Sequence, residues 1–230
     1  VVFSYYETDS SIWLSKRYVS TFEYDKHFTQ QHFYINLYPL SEKKYRSNMV
    51  AYYFFKHKEE LLISVDSGLV ILNPKLQQSK LYYPSSFSSG ADLRTIVSFN
   101  KDEVLIRSFG FGLFVFNTAT KKFTKWYSNK DTCAGCMPAT NNYLFKTREN
   151  EIYVSTGGKG LFQYNKATDQ FLPVILNNDG NDAFKKNYLY GMDEDEDGKL
   201  WILSTDGIYI YNTKNKIIEK HITEKGKLGL

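Results

Sequence analysis

The stretch Leu200-Trp-Ile-Leu-Ser-Thr-Asp-Gly-Ile-Tyr-Ile-Tyr211 reads as strand, tight turn, strand. Leu200 to Leu203 form an apolar run expected to be buried. Ser204, Thr205, Asp206 and Gly207 supply a turn, with a glycine where positive φ is expected. Ile208 to Tyr211 return as a second strand of aromatic and β-branched residues. The same shape stands upstream at Ile152 to Leu161, Val104 to Leu113 and Leu61 to Leu69. A fifth copy, Ile12-Trp-Leu-Ser15, is followed by a turn without the glycine.

The second positions of these copies are Trp13, Leu62, Leu105, Tyr153 and Trp201, separated by 49, 43, 48 and 48 residues. A period in the forties with four strands per period is the signature of propeller blades. The flanks repeat as well. Asn117-Thr-Ala-Thr-Lys-Lys-Phe123, Asn165-Lys-Ala-Thr-Asp-Gln-Phe171 and Asn212-Thr-Lys-Asn-Lys-Ile217 are turns opened by an asparagine that bonds its own backbone. Another strand precedes each copy, as at Asn187 to Met192 and Asn48 to Tyr53. The expected fold is therefore all-β: a β-propeller of four-stranded antiparallel blades, each ordered a (inner), b, c and d (outer). Five blades are present, at about 1–40, 41–88, 89–136, 137–184 and 185–230. A lone blade cannot bury both its faces, and stacking blades does.

The order Asn187-x-Leu189-x-x-Met192-x-x-Asp195-x-x-Gly198-x-Leu200-Trp201-Ile202, then Gly207-Ile208 and Tyr211-Asn212, resembles the two-component-regulator propeller repeat. The resemblance runs through all five units. It is fullest in the fifth and good in the third and fourth. In the second, Leu62 replaces Trp and Lys56 stands where the family has Asp; the first lacks the turn glycine. The resemblance implies the periplasmic sensor region of a hybrid two-component system of the kind common in gut Bacteroidetes. It implies a glycan ligand and a histidine kinase lying outside this chain. Its implied partners are a neighbouring propeller or immunoglobulin-like domain of the same parent protein, and a second copy in a homodimer.

Composition sets outer bounds. The chain has 230 residues, and 17% are aromatic, which suits strands. Mean hydropathy is −0.44, and no run approaches 18 apolar residues, so no membrane insertion is expected from this segment. The start, Val1-Val-Phe-Ser-Tyr-Tyr, is strand-like and carries neither an initiator Met nor a signal peptide, which reads as an excised or processed piece. Five whole blades in phase are expected to be consecutive members of a larger ring, and seven blades at this period need roughly 330 residues. Net charge is +4, with lysines scattered through turns such as Lys121-Lys122 and Lys185-Lys186. No block of five or six basic residues exists, so nucleic acid is not an expected partner.

The candidate chemistry is sparse. Cys133 and Cys136 form a lone CxxC in the loop leading to the fourth blade. With no second Cys or His pair to follow, it is half a zinc site at most. In an oxidising compartment the pair is a possible disulfide; otherwise the thiols stay free. His27 and His32 have the wrong spacing for a metal. Thr156-Gly-Gly-Lys-Gly160 joins two strands and is read as a hairpin turn rather than a phosphate loop. Asp193-Glu-Asp-Glu-Asp197-Gly198 matches the first half of an EF-hand loop, but its twelfth position is Ser204. No cofactor, metal or catalytic set is expected, and the chain is read as a non-enzyme.

By propeller convention, b–c turns and d–a loops share the top face. That face is expected to offer Arg17, Tyr18, Asp66, Arg107, Phe109, Phe111, Lys159 and Asp206 for ligand binding. In the third blade, Phe109 and Phe111 beside Arg107, held by Gly110 and Gly112, could stack on a sugar ring or pack in the core. Three functions follow: a glycan sensor, a non-catalytic scaffold for dimerisation or docking, and a propeller lyase or hydrolase with a site drawn from several blades.

Overall fold

The computed structural model describes residues 2–9, 11–16, 20–27, 31–36, 50–66, 68–76, 78–84, 91–128, 141–177 and 181–223. Among these, the strands form five four-stranded antiparallel sheets, each built in chain order. The first sheet is β1 (Val2–Glu7), β2 (Ser11–Lys16), β3 (Ser20–Asp25) and β4 (Gln31–Asn36). The second is β5 (Ala51–His57), β6 (Glu60–Val65), β7 (Gly68–Asn73) and β8 (Gln78–Tyr82). The third is β9 (Leu93–Asn100), β10 (Glu103–Ser108), β11 (Gly112–Asn117) and β12 (Lys122–Tyr127). The fourth is β13 (Asn141–Lys146), β14 (Ile152–Thr156), β15 (Leu161–Asn165) and β16 (Gln170–Pro173). The fifth is β17 (Leu189–Glu194), β18 (Leu200–Ser204), β19 (Gly207–Asn212) and β20 (Ile217–Ile222).

The chain divides into two compact units, Val1–Phe109 with Phe114–Trp126, and Gly110–Leu113 with Tyr127–Leu230. In the first unit, Trp13 of β2 packs on Ala51, Phe54, Leu61, Ile63 and Val65 of the second sheet. The Ser15 hydroxyl, on the same face, donates to the Ala51 carbonyl at 3.2 Å. In the second unit, Tyr153 and Leu161 of the fourth sheet pack against Leu189, Met192, Leu200 and Ile202 of the fifth. There the Ser155 hydroxyl donates to the Leu189 carbonyl at 3.0 Å. The same contact and the same latch thus recur at two junctions between sheets.

This stacking explains the burial patterns. Strands β6, β10 and β14 are buried on both faces from their second residue onward; for β6, the first and third sheets of its own unit lie against the second sheet. A fully buried Leu or Ile there contributes about 1.5–3 kcal/mol of transfer free energy. The expectation of a buried apolar run at Leu200 to Leu203 is corrected by the fifth sheet, where β18 alternates instead. Leu200 and Ile202 are buried, while Trp201 is 39% and Leu203 50% exposed. Their register equivalents Trp13, Leu62, Leu105 and Ser64 are all buried. Trp13 and Trp201 are the same residue type at one register position, yet Trp13 is packed against the second sheet and Trp201 is not buried.

Turn chemistry follows the sequence. Asn117 Oδ1 accepts from the Thr120 amide at 2.8 Å, Asn165 Oδ1 from the Ala167 amide at 2.9 Å and Asn212 Oδ1 from the Asn215 amide at 3.0 Å. One expected loop differs. The polar sequence around Asn181 and Asp182 has the composition of a loop, yet a short helix α1 (Asn181–Lys186) stands there. Its Phe184 is buried, with its ring centroid 5.6 Å from that of Tyr209 and 5.8 Å from that of Tyr211.

Polar contacts fasten the opposite ends of the strands. His57 Nε2 lies 3.0 Å from the Thr118 hydroxyl. Lys58 Nζ lies 2.8 Å from Asp102 Oδ1, and Lys121 pairs with Glu60. Burial lowers the His57 pKa, and the charges of Lys58 and Lys121 add to this against Glu60 and Asp102. A histidine held below its unfolded value of about 6.5 contributes stability above that pH and loses it as pH falls. Acidification from pH 7.5 to 5.5 is thus expected to lower the melting temperature of the wild type more than that of His57→Gln. Equal pH dependences in thermal melts would exclude His57 as a contributor.

Candidate functional site

The site is built at the start of the inner strands. In β5, Ala51 pairs with Val65 and Tyr53 with Ser64, so Tyr52 is an extra residue. In β17, Leu189 pairs with Ser204 and Gly191 with Leu203, leaving Tyr190 extra. In β9, Arg94 and Thr95 together stand opposite Arg107. The strands β1 and β13 have the same irregularity at Phe3 and Asn142. Every inner strand therefore carries a β-bulge next to its first pair, a device that re-aims a side chain without losing the ladder on either side.

In the first unit the bulged residues meet the turns. The Asp92 amide donates to the Asp66 carbonyl at 2.8 Å, and the Phe109 amide donates to the Asp92 carbonyl at 2.9 Å. Asp92 is held at φ +38°, a left-handed conformation that a non-glycine residue seldom adopts. Its carboxylate Oδ2 accepts from Arg94 Nη2 at 2.8 Å. The Arg94 guanidinium lies 3.5 Å from the centroid of the Tyr52 ring and 5.6 Å from that of Phe109. Phe109 itself is 64% exposed.

The second unit has its own rim. The Gly158 amide donates to the Asn187 carbonyl at 3.3 Å, and the Thr205 amide donates to the Tyr188 carbonyl at 3.0 Å. Asn187 is fixed by its Nδ2, which donates to the Tyr209 hydroxyl at 2.9 Å and to the Ala183 carbonyl at 3.0 Å. His221 stacks on Tyr209 with centroids 4.1 Å apart, and its Nε2 lies 2.8 Å from the Asp206 carbonyl. Tyr188 and Tyr190 are both exposed, on either side of buried Leu189.

Asp66 and Phe109 come together in the first unit, around Asp92. Arg107 is buried, only 9% exposed; Arg94 lies near the Phe109 ring. Phe111 is half-buried. In the second unit, Lys159 and Asp206 stand in exposed turns next to Asn187 and Tyr188. Arg17, Tyr18, Cys133 and Cys136 lie outside the described residues. Tyr52, Asp92, Arg94, Tyr188 and Tyr190 were not legible as site residues. The one available signal was a large polar-tipped side chain directly after the first apolar residue of an inner strand, as in Ala51-Tyr52, Leu93-Arg94 and Leu189-Tyr190.

The acidic turn of the fifth sheet has a structural use. Asp195 Oδ1 accepts from the amides of Asp197 at 3.0 Å and Lys199 at 2.9 Å, and Oδ2 accepts from Trp201 Nε1 at 2.9 Å. The Trp201 bond foremost, with those amides, holds its carboxyl below the usual range. Beside it, a cleft of about 270 Å³ is lined by Glu149, Glu194, Glu196 and Asp197. There Arg148 covers Glu194, its Nε 3.3 Å from Oε2. Among the described residues, no group of three His, Cys, Asp or Glu side chains is placed to hold a metal ion.

The five sheets, their order and their latches define a β-propeller fold, and solved structures share it. One is the extracellular domain of BT4673 from B. thetaiotaomicron, described as a hybrid two-component system: 17% identity, a TM-score of 0.69, and coverage of 97% of this chain and 28% of that one. The corresponding domain of BT3049 from the same organism gives 16% identity, a TM-score of 0.70 and coverage of 97% and 28%. YCF48 bound to D1 peptide gives 12% identity, a TM-score of 0.67 and coverage of 98% and 68%. The chain thus spans 28% of the length of the two extracellular domains. No protein-family model matches the chain, and no curated protein matches its sequence.

Proposed function

We propose that this chain belongs to the extracytoplasmic sensor region of a hybrid two-component system and binds an oligosaccharide or polysaccharide fragment at its strand-start rim. The observation that carries the reading is the rim of the first unit, where an exposed Phe109 stands beside a fixed Arg94–Asp92 pair. Aromatic faces and paired polar groups suit sugar rings, which have apolar C–H faces and hydroxyl edges. The shared fold with two such extracellular domains supports the same reading. Among the described residues no helix is long and apolar enough to cross a membrane. The periplasmic location, the kinase and a homodimer are parts of this proposal. A small ligand signals only by binding one arrangement of the parent protein better than another.

The exposed face of the fifth sheet bears on domain organisation. Trp201, Leu203, Ile208, Ile210 and Ile222 share it. At the junctions described above, the same face is covered by the next four-stranded sheet. The occupant proposed for it is therefore a further sheet of this type, as a larger ring would supply.

A thermal-shift screen against plant and host oligosaccharides tests the sensor reading. Ligand binding to the folded state alone raises the melting temperature by mass action, by about 2.7 kcal/mol of stabilisation at a hundred times Kd. One glycan class is expected to give a dose-dependent rise, with the glycan recovered unchanged by chromatography. A flat response across the panel favours the scaffold, and a shortened glycan favours an enzyme.

A further inference from the structure

We infer that Tyr52, Asp92, Arg94 and Phe109 form a subsite for an uncharged pyranose residue, Phe109 stacking on the ring and the Asp92–Arg94 pair bonding two neighbouring hydroxyls. This rests on the sensor reading above and adds to it the class of sugar.

The charge follows from the pairing. The Arg94 cation is matched within the site by Asp92 at 2.8 Å, in a pair that is only partly exposed. A uronate or sulfated sugar would have to displace that carboxylate or lie against it, and like charges at such range repel. A neutral ring meets no such penalty. The pair presents donor and acceptor side by side, which is the demand of two adjacent hydroxyls, each able to give and accept a hydrogen bond.

The free protein also leaves capacity unused here. Asp92 Oδ1 and Arg94 Nε are covered, and among the described residues neither has a hydrogen-bond partner. Buried polar atoms without partners are uncommon, and each calls for a cause. A ligand hydroxyl entering between the side chains supplies one.

The stacking partner is equally specific. Phe109 follows a buried strand yet is 64% exposed, and its amide is fixed to the Asp92 carbonyl at 2.9 Å. One face of the Arg94 guanidinium is occupied by Tyr52 at 3.5 Å. The polar pair and the ring are thus set before the ligand arrives, with the bulge and the left-handed Asp92 as the fixing devices.

The test is isothermal titration of the chain with two probe sets. The first holds neutral galactan, mannan and xylan oligosaccharides; the second holds oligogalacturonate and oligomeric alginate. The expected result is binding of one neutral class and at least tenfold weaker binding of both uronates. Phe109→Ala should weaken the neutral ligand at least tenfold with an unchanged melting temperature, because that ring is exposed. Arg94→Lys should weaken it similarly. Asp92→Asn, which tolerates the left-handed backbone, should narrow the gap between neutral and acidic probes by uncovering the Arg94 charge. Uronates bound as tightly as neutral sugars, or neutral binding indifferent to Phe109→Ala and Arg94→Lys, overturns the subsite and leaves the sensor standing. No binding of any probe in either set overturns both.

Discussion

Gly207→Ala is expected to open the fifth sheet. Gly207 sits at φ +115°, where side chains are strongly disfavoured, and a Cβ there would lie 2.0 Å from the Ile222 carbonyl oxygen and 3.2 Å from Thr223 Cα. Those are backbone atoms of and beside β20, and Ile222 is paired with Ile208 in the ladder. Neither strand can retreat without breaking that pairing. Strain plus clash should cost on the order of 3–5 kcal/mol. For a chain of this size that is a fall in melting temperature of about 10 °C. The β19 and β20 amides should lose hydrogen-exchange protection first. Gly110→Ala is the control: its φ is +87°, but an added Cβ meets nothing within 4 Å. Its cost should stay near 1 kcal/mol. A Gly207→Ala protein as stable as Gly110→Ala would refute the assignment. Gly68 makes the same close approach in the second sheet, its Cβ falling 2.3 Å from the Tyr82 oxygen.

The second expectation uses one substitution in two settings. Leu203→Lys in this chain should change stability by no more than about 0.5 kcal/mol, because the site is half exposed. It should also reduce self-association in sedimentation velocity, since it places a charge on an apolar sheet face. In a longer protein carrying the further sheet, the same lysine would be buried without a partner. The cost there should reach about 3–5 kcal/mol. Leu62→Lys, on the corresponding face of the second sheet, should be that damaging already in this chain, for Leu62 is fully buried. If Leu203→Lys is harmless in the longer protein as well, no further sheet covers that face.

The strand order was readable because the hairpin shape Leu-Trp-Ile…Gly-Ile and the Asn turns are local chemistry, set by residues within a few positions of each other. The asparagine bonds at Asn117, Asn165 and Asn212 fell where that chemistry puts them. Burial was less readable. Leu62 and Trp201 occupy one register position, yet Leu62 is fully buried and Trp201 is 39% exposed, because what covers a strand comes from residues distant in sequence. Helix α1 was missed because its six residues are driven by the tertiary docking of Phe184, against a composition that favours loop. The rim was half readable. Phe109 was marked by its glycine-containing turn, but Arg107, two residues before it, is buried. Arg94 reaches the rim through a bulge, and a bulge is a mismatch in strand register, which no single strand's sequence records.

That recurrent mismatch has an evolutionary consequence. At Tyr52 and Tyr190 the extra residue stands outside the ladder pairing of its strand. The ladder pairs beside it, Tyr53 with Ser64 and Gly191 with Leu203, are formed without it. The pressures for foldability and for recognition therefore fall on different codons. A letter that the ladder does not pin can change by single steps while its neighbours hold the strand, so new specificities are reachable in a protein that stays folded throughout.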